Sequence, residues 1–169
     1  MRVVPSSYDE PEHSHLTPRE VAIEHARHKC EDVAARFPQE IVVAADTVVD
    51  LDGMAYNKPR DAADARRMLA ELSGRTHMVH TALALRANGR FEAECESTRV
   101  TFFPLEPGEI EAYVATGEPL DKAGAYGIQG YGATLVERIE GDFYAVMGFP
   151  LGRFVRTLHR LGFSVPITK

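Results

Sequence analysis

The run "EIVVAADTVV", residues 40–49, consists almost wholly of β-branched and small apolar side chains. It lacks the apolar/polar alternation of a strand with one wet face. It therefore reads as a strand buried on both faces, at the centre of a sheet with helical cover. Asp46 interrupts it. A carboxylate there is costly to bury unless it is paired, bound to a metal or set at an open strand end. Turn chemistry is the plainer role of an aspartate, so its neighbours decide. Thr47 adds a hydroxyl. Lys58, before Pro59, follows the Asp-Gly turn of "DLDG" (50–53) closely enough for a returning loop to face Asp46, although alone it reads as a solvated loop cation.

Upstream, "LTPREVAIEHARHKCEDVAARFP" (16–38) predicts a helix from Pro18 to Arg36, with Thr17 as N-cap, Pro18 in the first turn and Glu20 completing a capping box. Val21, Ala22, Ala26, Cys30, Val33 and Phe37 form its apolar stripe, and Lys29 falls beside that stripe, able to reach a cleft. Downstream, Met54–Tyr56 reads as a short strand and "RDAADARRMLAELSG" (60–74) as a helix between Asp61 and Gly74. Two long strands joined by Asn88-Gly89 make the clearest hairpin signal. A helix follows in "EPGEIEAYVATG" (106–117). "ATLVERIEGDFYAVMGF" (133–149) reads as a hairpin or strand-turn-strand, and "PLGRFVRTLHRLG" (150–162) as an amphipathic helix. The expected class is α/β, with a mixed twisted sheet flanked by helices and not purely parallel.

A chain of 169 residues suffices for one domain, and 44% hydrophobic with 26% charged residues is a globular composition. A formal charge of −6 gives no general attraction to nucleic acid or an anionic membrane, so any phosphate site must be local. No apolar run approaches a membrane span and the start lacks a secretory segment, which predicts a cytoplasmic protein. Cys30 and Cys95 stand far apart and read as reduced thiols. His13 and His15, and His25 and His28, read as solvated side chains.

Two further stretches carry candidate chemistry. The acidic start "SYDEPEH" (7–13) holds Asp9, Glu10 and Glu12, a solvated loop unless Glu10 meets Asp46; two carboxylates then form an oxygen-rich site suited to Mg²⁺ or Mn²⁺. "LDKAGAYGIQG" (120–130) is neither a Walker loop nor a dinucleotide fingerprint. Its glycines permit close approach of a ligand. Tyr126, Ile128 and Gln129 between them argue against a plain loop, and the Gln129 amide is able to read a base edge.

Taken together, "AADTVVDLDG" (44–53), "KPRDAADARRMLAELSGRTH" (58–77), "GEPLDKAGAYGIQGYG" (117–132) and "ERIEGDFYAVMGFPL" (137–151) resemble the Maf family of nucleoside-triphosphate pyrophosphatases, from about Val4 to Leu161. The Ala-Asp-Thr and Gly-Ile-Gln-Gly forms look like the branch acting on dTTP and UTP. The resemblance implies a two-lobed cleft fold like that of the inosine-triphosphate pyrophosphatases, a homodimer, and hydrolysis between the α and β phosphates with a divalent cation. It implies Asp46 as proton acceptor for the attacking water and Lys29 and Lys58 as phosphate holders. Thr47 and Gln129 would shape base selection, Lys122 would join the substrate-binding residues, and Glu10 with Asp46 would hold the metal. Family members begin with a strand and a Ser-Pro-Arg-Arg loop upstream of these residues, so the chain reads as an N-terminally shortened single domain, 1–169. A misplaced start codon and a natural short form both account for that, and the short form makes a non-catalytic or weakly active nucleotide-binding module the alternative function.

Overall fold

The computed structural model describes residues 2–11, 13 and 15–165; Glu12 of the acidic start and residues 166–169 lie outside the described residues. Five strands, β1 (Val42–Leu51), β2 (Met54–Tyr56), β3 (Thr76–Ala87), β4 (Arg90–Phe102) and β5 (Val136–Glu140), form one antiparallel sheet in the order β2-β1-β3-β4-β5. Among the described residues five α-helices flank it: α1 (Pro18–Arg36), α2 (Ala62–Leu72), α3 (Pro107–Ala115), α4 (Phe143–Val146) and α5 (Leu151–Arg160). The mixed α/β class expected from sequence is present, and every strand pair is antiparallel.

Local chemistry sets most boundaries. Thr17 and Glu20 close the capping box of α1, and the Asp61 side chain accepts from the Asp64 amide at the start of α2. Asn88 and Gly89, with φ of 51° and 73°, turn β3 into β4 in the left-handed pair that suits a two-residue hairpin.

Side chains on one face of the sheet meet α1: Ala22, Ala26 and Cys30 pack on Val42, Val48, Ala82 and Ala84. On the opposite face, Val49, Leu51, Val79, Val100 and Phe102 pack at one end with α2 and α3, while Leu83 and Leu85 pack at the other with Leu158 and Leu161. Strand alternation therefore puts Asp46 on the α1 face and Thr47 on the other.

Two expectations are corrected. The 42–51 strand is not the centre of the sheet. That place belongs to β3, whose residues 79–85 are all buried, whereas residues 43–47 of β1 are only half-buried. β2 pairs with β1 only at Val49–Leu51, so among the described residues no strand covers the outer edge of residues 42–48. Among the described residues the apolar run is a strand covered on two faces and open along one side. The second half of 133–149 is helix α4 instead of a strand, because Asp142 caps the turn by accepting from the Tyr144 amide, which overrides the β preference of Phe143, Tyr144 and Val146.

Candidate active site

The open edge of β1 runs along a cleft of about 1010 Å³ lined on one side by α1 and the N-terminal segment, and on the other by the glycine-rich stretch and Gly148. His25, Lys29, Asp32 and Arg36 lie on one stripe of α1, since spacings of three and four return to the same helix face. The C-terminal half of that stripe ties down the N-terminal segment. Asp32 accepts from the Ser6 hydroxyl (2.9 Å), the Ser7 amide (2.9 Å) and the Ser7 hydroxyl (2.7 Å), and Arg36 donates to the Pro5 carbonyl (2.7 Å). Tyr8 stacks on His28 with ring centroids 4.8 Å apart. Three residues beyond Ser7, Glu10 arrives over the N-terminal half of the stripe.

There the functional groups converge. Lys29 Nζ lies 2.6 Å from Asp46 Oδ1 and 2.6 Å from Glu10 Oε1, so the two carboxylates meet across one ammonium. His25 Nδ1 lies 3.6 Å from Asp46 Oδ2 and 3.8 Å from Glu10 Oε2. The Asp46 side chain is 9% exposed and that of Glu10 50%. Burial pushes the Asp46 carboxyl above the usual range for aspartate; Lys29 opposes that shift and the Glu10 charge adds to it. Burial alone would lower the Lys29 ammonium, but its bonds to Asp46 and Glu10 outweigh it and hold the group above its ordinary value. Burial would likewise raise Glu10, and the Lys29 bond and charge outweigh it, leaving that carboxyl low. Glu10, His25 and Asp46 each offer a ligand atom within 4.8 Å of the others, a donor set that fits a divalent cation.

The facing wall is the glycine-rich stretch. Three short 3₁₀ turns span 118–135. Gly124, at φ 68°, lies so close to β1 that a Cβ there would come within 2.8 Å of Val49 Cγ2. Glu118 organises the loop: its carboxylate accepts from the Tyr131 and Gly132 amides, each at 3.1 Å, and from the Tyr113 hydroxyl at 3.0 Å. The Tyr113 oxygen accepts in turn from the Gly127 amide.

Glu10, Lys29, Asp46, Thr47, Lys58, Lys122 and Gln129 all line this cleft, whereas Asp9 does not. Thr47 sits beside Gly148 with Oγ1 2.9 Å from Thr81 Oγ1. Because Thr81 donates its proton to the Ala145 carbonyl (2.7 Å), Thr47 must donate to Thr81, leaving Thr47 Oγ1 as an acceptor toward the cleft. Gln129 is exposed at the loop tip. Lys58 is exposed and near enough to Glu10 and Asp121 for its charge to lower both carboxyls. Lys122 donates to Asp121 (2.6 Å) and to the Glu118 carbonyl (3.0 Å), so part of its charge is already committed within the loop.

One histidine reading is corrected. His25 is 5% exposed instead of solvated, because the N-terminal segment closes over it. Its spacing of four from Lys29 was the available signal. Glu118 was missed outright: its role depends on bonds to residues 113, 131 and 132 that no local pattern announces.

The Maf-like protein family matches residues 1–161. Among curated proteins, the dTTP/UTP pyrophosphatase of Bacillus velezensis is 44% identical over 156 residues, covering 92% of this chain and 82% of its own. That of Halalkalibacterium halodurans is 49% identical over 145 residues, covering 86% and 76%. The dTTP/UTP pyrophosphatase of Pyrococcus furiosus is 45% identical over 149 residues, covering 88% and 78%.

Proposed function

The chain belongs to the Maf-like protein family, and from that membership we propose that it is a cytoplasmic dTTP/UTP pyrophosphatase, releasing the nucleoside monophosphate and pyrophosphate. The observation that carries this reading is the placement of Asp46: a nearly buried carboxylate, its acidity weakened by burial, in the wall of a cleft able to hold a nucleotide.

In this reading Asp46 orients a water and takes its proton as the water oxygen bonds to the α phosphorus. The bond from that phosphorus to the bridging oxygen then breaks and pyrophosphate departs. A carboxyl raised by burial is a stronger base than an ordinary aspartate, which favours the step, and a cation held on the same carboxylate offsets part of that gain. Lys29 and Lys58 hold phosphate oxygens from the α1 side and the open rim, and Lys122 meets the polyphosphate from the loop. A divalent cation, Mg²⁺ or Mn²⁺, held by Glu10 and Asp46, supplies neutralisation of charge on the phosphate oxygens when bound. Thr47 suits a pyrimidine with a protonated N3, because its oxygen is left as an acceptor, and the Gln129 amide complements the flanking carbonyls. Homodimer assembly belongs to the same reading. It is supported by an apolar surface of Phe143, Tyr144, Met147 and Leu151, all more than a third exposed.

Pyrophosphate release measured across dTTP, UTP, CTP and the purine triphosphates tests the proposal. The expected result is turnover confined mainly to dTTP and UTP, falling at least about a hundredfold in Asp46→Asn. Absence of turnover with every nucleotide would overturn it, and binding without turnover would leave a nucleotide-binding module.

A further inference from the structure

We infer that His25 supplies a nitrogen ligand, through Nδ1, to the cation site of Glu10 and Asp46, and that this donor set favours Mn²⁺ or a later first-row ion over Mg²⁺. The inference deepens the pyrophosphatase reading and rests on it for the cation's role at the nucleotide.

His25 is 5% exposed, and a buried imidazole ordinarily has partners for both nitrogens. Nε2 lies 3.4 Å from the Pro11 carbonyl oxygen, which only accepts and is nearer than either carboxylate oxygen facing Nδ1, so we assign the ring proton to Nε2. Nδ1 is then a bare lone pair. It faces Asp46 Oδ2 and Glu10 Oε2 at 3.6 and 3.8 Å, beyond hydrogen-bond range, and both of those atoms are acceptors as well. Lys29 does not relieve the crowding, because its bonds go to the other oxygen of each carboxylate. In that tautomer three lone-pair atoms converge with no donor between them among the described residues, an arrangement that repels itself until a cation enters. Two carboxylates and one ammonium leave a local charge of about −1, which a divalent ion reverses in favour of a polyphosphate. Mg²⁺ is hard and prefers oxygen and water, whereas imidazole nitrogen suits first-row transition ions.

The test uses the nucleotide-free protein. Mn²⁺-loaded wild type is expected to show ¹⁴N modulation in its electron spin echo, lost in His25→Gln. Calorimetric titration of the same variant should show Mn²⁺ affinity down at least about tenfold and Mg²⁺ affinity down less than about threefold. Absence of ¹⁴N modulation in the wild type, as expected if His25 were instead a protonated third cation, overturns the inference, and so does equal weakening of both metals. The wild-type spectrum decides even where the variant folds poorly. Because no nucleotide is present, nitrogen coupling in a protein without turnover would sink the pyrophosphatase reading and leave this inference standing.

Discussion

At the scale of single residues, the fold bends ordinary chemistry in opposite directions at two sites. Asp46 is pushed up by burial, whereas His77, packed between Phe102 and Tyr126, is pushed down to about 4 by burial. Its Nε2 meets the Tyr126 hydroxyl at 2.8 Å and its Nδ1 has no partner among the described residues. With the folded value near 4 and the unfolded value near 6.5, the unfolded chain takes up a proton first as pH falls. His77 stability is therefore complete above pH 6.5 and lost progressively toward pH 4, roughly 3 kcal/mol in full. Urea midpoints at pH 7 and pH 4.5 should accordingly fall less in His77→Gln than in the wild type. An identical fall in both proteins would remove His77 from the acid response. None of this is legible in "RTHMVH", because burial of a histidine is decided by what packs on it. Asp46 was legible, since a carboxylate inside "VVAADTVV" is anomalous wherever the strand lies.

At the scale of elements, the readable parts were those whose instructions are contiguous. The Thr17–Glu20 box, the Asn88-Gly89 turn and the Asp61 cap each act within four residues and appear where expected. The position of β1 was not readable, since apolar runs look alike in a central strand and in one covered on two faces with an open side. α4 misled because Asp142 outweighs the preference of the residues after it. The glycine loop shows both kinds of information: its flexibility is visible in composition, but its contact with β1 is not. That contact makes Gly124→Ala costly. The methyl group would press on Val49 while the backbone holds φ at 68°, so we expect a loss of about 1–3 kcal/mol in thermal or urea unfolding. KM should rise more than kcat falls. A variant as stable as wild type would mean that the loop stands off from β1 in solution.

At the scale of the whole molecule, net charge and cleft both oppose an anionic substrate. The chain carries −6, and the cleft sets the four carboxylates of Glu10, Asp46, Glu118 and Asp121 against the three ammonium groups of Lys29, Lys58 and Lys122. Neither the overall field nor the cleft draws in a free triphosphate, so the cation must bring it. With a chelator present, dTTP binding measured by calorimetry should weaken by roughly a hundredfold; binding indifferent to the chelator would exclude that role. Among the described residues no strand lies along the outer edge of residues 42–48, and such an edge has a consequence for solution behaviour. Bare strand edges recruit other strands, and an inward-facing charge is one of the features that prevents it. Asp46 is that charge on residues 42–48, so it guards against self-association as well as serving the proposed chemistry. Asp46→Asn should therefore show more concentration-dependent light scattering than the wild type, and its lost turnover has to be measured on the monodisperse fraction.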